Sequence, residues 1–159
     1  MHTLPQLFEE DLTALNGVMG ELISQTEATT VVLTDRAGFR ITEKGDLERF
    51  DTTSLGALAS GSFLANQEIA RMIGENDFNS CYQQGEHASM FICNVGTWGV
   101  LIAIFPAMVS AGLVKHYSIQ AGFNLAKFLQ LAYERAPQAG MDLSLLNIAE
   151  STQIFIQRH

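Results

Sequence analysis

The chain has 159 residues, of which 47% are hydrophobic and 16% charged. That length suits one domain, able to bury about two thirds of its unfolded surface without disulfides or metals, and the composition excludes intrinsic disorder. Nine Lys and Arg against 17 Asp and Glu leave a net charge of −8, which repels phosphate backbones and anionic bilayers, so no nucleic acid or membrane partner is expected.

The chain opens MHTLPQLFEEDLTAL, with no basic start, no continuous apolar run, and acids at Glu9, Glu10 and Asp11. It does not read as a signal peptide. A cytoplasmic location is expected, and Cys81 and Cys93 show neither a secreted-scaffold nor a metal-type spacing. From Leu4 to about Gln25, apolar residues recur at three- and four-residue intervals and predict a helix. Ala28–Asp35 is β-branched and predicts a strand. The bend Asp35–Gly38 leads to a second extended segment, Phe39–Glu43. Asp51–Ser54 is rich in capping residues, and a helix is predicted from about Leu55 to Met72.

Three strands are predicted next, Asp77–Gln83, Ala88–Val95 and Trp98–Phe105, joined by short connectors that imply antiparallel neighbours. The apolar run Val100–Ala107 is far short of the roughly 20 residues a spanning helix needs. Ser110 is placed to cap a long helix that Pro137 and Gly140 should close near Ala136. Beyond it, a short helix from Asp142 to Glu150 and a strand Gln153–Gln157 are expected. The order is α-β-β-α-β-β-β-α with a C-terminal extension. It describes an α+β domain with a five-stranded antiparallel sheet over residues 1–137 and an extension over 138–159.

Catalytic signatures are missing. None of Lys44, Lys115 and Lys127 is followed by Ser or Thr, so there is no P-loop. No Gly-x-Ser-x-Gly, His-Glu-x-x-His or Cys-x-x-Cys occurs, and no cofactor or metal is expected. With Gly85-Glu86 as the turn centre, Cys81 faces Met90 and Cys93 faces Phe78. The two thiols then lie on opposite faces as apolar fillers. His116 reads as solvated or partly packed, His87 as solvated, and Asp35, Asp51, Asp77 and Glu86 as caps or turn residues.

On a helical wheel at about 100° per residue, Leu58, Ser62, Ala65, Asn66, Ile69 and Met72 form the stripe expected to cover the sheet. The opposite side carries Ala57, Ser60, Gly61, Leu64, Glu68 and Arg71. A leucine among small residues on an outward helix face suggests a second packing surface for another subunit or partner.

The segments Val31–Gly38, Leu55–Ala65, Phe78–Glu86, Met90–Ile92, Val100–Phe105 and Ala111–Val114, followed by the basic Lys115, occur in an order and spacing that resembles the roadblock family, the dynein light-chain type, in its bacterial branch of Ras-like GTPase regulators. The resemblance covers about Leu4–Ala136. It implies a profilin-like α/β/α sandwich and a homodimer joined through the third strand and the second helix. The implied interface adds Phe78, Ser80 and Tyr82 to the wheel residues.

The resemblance also implies a Ras-like small GTPase as partner and no active site in the chain itself. Any stimulation of GTP hydrolysis would come from positioning the GTPase's own residues. An arginine finger from Arg36, Arg40, Arg49 or Arg71 is the alternative, and nothing singles one out. The extension carries Leu143, Leu145, Leu146, Ile148, Ile154, Phe155 and Ile156, which need burial on the domain, its mate or a partner. Two other readings stand beside this one: a small-molecule-sensing module, and a purely structural adaptor.

Overall fold

The computed structural model describes residues 3–156, with side chains from 3 to 135. Five antiparallel strands form one sheet: β1 (Thr30–Asp35), β2 (Arg40–Gly45), β3 (Ser80–Gln84), β4 (Ala88–Val95) and β5 (Gly99–Pro106), in the order β2-β1-β5-β4-β3. Three helices cover it: α1 (Glu9–Thr26), α2 (Thr52–Met72) and α3 (Ala111–Ile156). This is the α+β sandwich, in the element order, that the sequence predicts.

β5 is the longest apolar run of the chain and takes the central place, buried on both faces. A continuous apolar strand needs cover on both sides, and its alternate residues meet different helices. Leu101, Ala103 and Phe105 join Val31, Leu33, Phe91 and Cys93 in a core with α1 and α3. Val100, Ile102 and Ile104 join Val32, Ile92, Ala59 and Phe63 in a second core under α2. Gly99 opens β5 against β1, where a Cβ would lie 1.9 Å from the carbonyl oxygen of Thr34. Only glycine admits that approach.

The β3–β4 hairpin pairs Ser80 with Cys93 and Cys81 with Ile92, two residues on from the predicted register. Gln84 pairs with Ser89, so the turn is longer than the Gly85-Glu86 centre assumes. An even shift leaves every side chain on its own face. Cys93 therefore sits in the α1/α3 core and Cys81 against the α2 core. Burial pushes the Cys93 thiol up to about 12, and such a thiol is inert at neutral pH.

Three helix boundaries differ from expectation, and in α2 the difference is small: it begins at Thr52, three residues before Leu55. α1 begins at Glu9, not Leu4, because Pro5 holds Leu4 out of the helical region. Phe8 then donates its backbone N–H to Asp11 Oδ2 at 2.8 Å, and the three acids fall in the first turn, where the helix dipole favours them. α3 does begin after Ser110, whose Oγ accepts the N–H of Leu113 at 3.4 Å. It does not end near Ala136: Pro137 and Gly140 lie inside it, and it runs to Ile156 in place of the expected short helix and strand. Proline removes one backbone donor and bends a helix, but good helix formers follow it here. The expected burial of the extension's apolar side chains, and Gln157, lie outside the described residues.

Candidate interaction site on α2 and the β3 edge

α2 starts on a strong cap. Asp51 Oδ1 accepts the N–H groups of Thr53 and Ser54 at 3.2 Å each, and Oδ2 accepts the Ser54 hydroxyl at 2.6 Å. These bonds hold the Asp51 carboxyl below the usual carboxylate range, the Ser54 hydroxyl contributing most. The first turns lie close on the β1–β2 hairpin. A Cβ on Gly56 would stand 3.0 Å from Thr34 Cγ2, and one on Gly38, at φ 91°, would stand 3.3 Å from the Ala57 Cα. The last turns reach β3. Gln67 donates through Nε2 to the Phe78 carbonyl and accepts the Phe78 N–H on Oε1, both at 2.7 Å.

These anchors decide which side of α2 faces inward. The buried positions are Thr52, Gly56, Ala59, Ser60, Phe63, Gln67 and Ala70. The expected sheet-covering stripe is therefore corrected. Leu58 is 74% exposed, Ile69 49% and Met72 85%. Ser62 and Ala65 are exposed too, and only Asn66 is partly buried, donating to Cys81 Sγ at 3.8 Å. Ser60, expected outward, is the opposite correction: it is buried, with its Oγ 2.8 Å from Thr34 Oγ1. A wheel weighted by hydrophobicity sends Ser and Gln to solvent, whereas here each has a specific partner distant in sequence, and a satisfied polar group can be buried at little cost.

The remaining wheel residues, Ala57, Gly61, Leu64, Glu68 and Arg71, are exposed on one flank of α2, next to the β1–β2 turn at Ala57. Glu68 and Arg71 pair with each other in solvent, which contributes little. The other flank, Leu58, Ser62 and Ile69, lies on the side of Asn66 and β3. Leu58, Ile69, Met72 and the following Ile73 are exposed large apolar residues, as is Leu64 on the first flank, and α2 therefore presents an unusual amount of apolar surface to solvent.

β3 is an edge strand, paired with β4 on one side. Phe78 precedes it. Ser80 and Tyr82 stand opposite Cys93 and Phe91 and so share the α1/α3 face, where the Tyr82 ring stacks 6.1 Å from Phe105. Cys81 and Gln83 are the β3 residues on the α2 face. The wheel residues and Ser80 and Tyr82 are thus not one continuous patch: the first lie towards the β1–β2 turn, the second on the α1/α3 face of β3. The wheel turns Leu58, Ile69 and Met72 inward and does not single out Ile73; their exposure follows from the polar anchors on the other side of the helix.

Arg40 is held by Glu43 Oε2 at 2.9 Å and Thr52 Oγ1 at 2.7 Å, and Arg49 lies over the Phe50 ring at 5.8 Å. Among the described residues, no group of three His, Cys, Asp or Glu is placed to hold a metal ion, and no helix is long and apolar enough to cross a membrane.

The profile of the Roadblock/LC7 domain matches residues 16–105. Among solved structures, Myxococcus xanthus MglB shares 33% identity at a TM-score of 0.74, covering 80% of this chain and 96% of that one. The gliding protein MglB of Thermus thermophilus shares 25% identity at a TM-score of 0.75, covering 82% and 98%. A structure described as MglB with tetrameric arrangement has the same fold, at 24% identity and a TM-score of 0.76, covering 83% and 99%. No curated protein sequence matches the chain.

Proposed function

The chain belongs to the Roadblock/LC7 family, and from that premise we propose that it is a homodimeric regulator or scaffold of a Ras-like small GTPase in a bacterial cytoplasm. The observation that carries this reading is the outward face of α2. Leu58 and Met72 are 74% and 85% exposed on a helix that flanks an edge strand. An apolar helix face offers buried area, and an edge strand offers backbone hydrogen bonds; together they suit a second copy of the same chain. The paired α2 flanks at Ala57, Gly61 and Leu64, beside the exposed Phe39 of the β1–β2 turn, are then the surface left for the GTPase.

The chain has no active site of its own in this reading. It acts by holding the GTPase's switch loops in hydrolytic geometry, because positioning and electrostatics supply most of phosphoryl-transfer catalysis. An adaptor without effect on turnover would use the same surface, and only kinetics separates the two.

The test is capture on immobilised chain from native extract loaded with GDP or with a non-hydrolysable GTP analogue, then hydrolysis kinetics of any GTPase recovered. Recovery mainly with the analogue, with a faster single-turnover rate when the chain is added, is the expected result. Recovery regardless of nucleotide with an unchanged rate leaves the adaptor. A folded bait that retains no GTPase in either state overturns the reading.

A further inference from the structure

α2 is not the only helix with an unpartnered apolar surface. On the other side of the sheet, a groove of about 640 Å³ runs between α3 and the β4–β5 turn, floored by Trp98 and walled by Phe123, Lys127, Gln130, Leu131 and Glu134. Phe123 is 66% exposed and Leu131 60%. The charges along this wall are ordered. Lys127 and Glu134 are two helical turns apart, about 10 Å, and so stand on one face of α3. Gln130 lies between them and donates to Glu134 Oε1 at 3.0 Å.

We propose that this face of α3 docks on the same face of a second copy of the chain, antiparallel, about a twofold axis between Gln130 and Leu131. Such an axis sets each Lys127 against the Glu134 of the other copy and brings the two Leu131 side chains together at the centre. A surface that carries both signs at equal distances from one point is complementary to itself, as an isologous contact requires. The parallel alternative sets Lys127 against Lys127 and is disfavoured. The argument has weight because two chains of net charge −8 repel over most of their surfaces. A copy docks where that repulsion is locally reversed and apolar area is available.

The contact is separate from the α2 face, on the opposite side of the sheet, and does not depend on the proposed function. Using both surfaces in a closed assembly with crossed twofold axes joins four chains. The test is the mass of the full-length chain in solution by sedimentation equilibrium. Leu131→Glu, which places two like charges at the axis, halves the mass, and Lys127→Glu and Glu134→Lys each do the same. The double variant Lys127→Glu/Glu134→Lys restores the original mass, a result that general destabilisation cannot produce.

In a Leu58→Glu background, which removes the α2 contact, adding Leu131→Glu leaves single chains. Thermal unfolding confirms that the variants are folded, since all four positions are exposed. An unchanged mass in Leu131→Glu and both single reversals overturns the α3 contact whatever Leu58→Glu does. Failure of the double reversal to restore the mass overturns the antiparallel pairing.

Discussion

The side-chain amide of Gln67 occupies the place a neighbouring strand would take at Phe78, with one donor and one acceptor meeting the backbone carbonyl and N–H at 2.7 Å. Replacing it with Leu keeps the volume, strands the Phe78 N–H, and leaves the carbonyl only the longer bond from Asn94 Nδ2 at 3.4 Å. Because an orphaned, partly buried polar group costs about 1–3 kcal/mol, Gln67→Leu should lower the urea midpoint by that equivalent, with the slope unchanged.

Asp11 gives a second residue-level prediction. The Arg135 guanidinium beside it lowers its carboxyl below the usual range, chiefly by hydrogen bonding, and the Phe8 N–H adds to this. A depressed folded value means that stability is gained above the unfolded pKa of about 3.9 and lost as pH falls through the lower folded value. Thermal unfolding from pH 5 to pH 2.5 should show a shallower acid limb for Asp11→Asn than for the native chain. Parallel acid limbs would show that the ion pair contributes nothing. The Phe8 contact is local, but the Arg135 contact is not legible along the chain: Arg135 and Asp11 are brought together only because α1 and α3 pack antiparallel on one face.

At the scale of elements, α2 shows what periodicity can and cannot decide. Its extent was legible, because Asp51–Ser54 supplies a cap and Gly74, at φ 86°, follows its end. Its orientation was not. The helix has apolar residues nearly all round, so the wheel has two candidate faces, and the choice was made by Ser60 with Thr34 and by Gln67 with Phe78. The consequence is measurable. Leu58→Glu should leave the fold intact and halve the mass in solution, while Leu64→Glu, on the flank towards the β1–β2 turn, should keep the mass and weaken GTPase capture. Equal effects of the two substitutions would merge the flanks into one surface.

α3 is the converse case. Its start at Ser110 was legible from the cap, but Pro137 and Gly140 misled as stop signals. The helical bonds on either side of a proline survive when the following residues favour helix, so a breaker in the sequence becomes a local defect in the structure.

Across the whole molecule, two surfaces on opposite sides of one sheet set the assembly. The α2 face lies next to the β3 edge and the α3 groove lies behind it. A chain that exposes both at once can be linked at both, which is why the number of chains per particle and the GTPase response have to be measured on the same full-length protein. Composition and periodicity determined the α-β-β-α-β-β-β-α order of the sandwich, though not the form of the extension, because hydrophobic spacing, turn residues and caps are local properties of the chain. They also determined that the cysteines face opposite ways, because alternation along a strand survives an even error in register.

The tertiary structure alone decided which face of α2 is buried, where β5 enters between β1 and β4, and which charges stand together on α3. Each of those depends on a partner far away in sequence, and the energy of a buried polar contact or a packed face exists only once that partner has arrived.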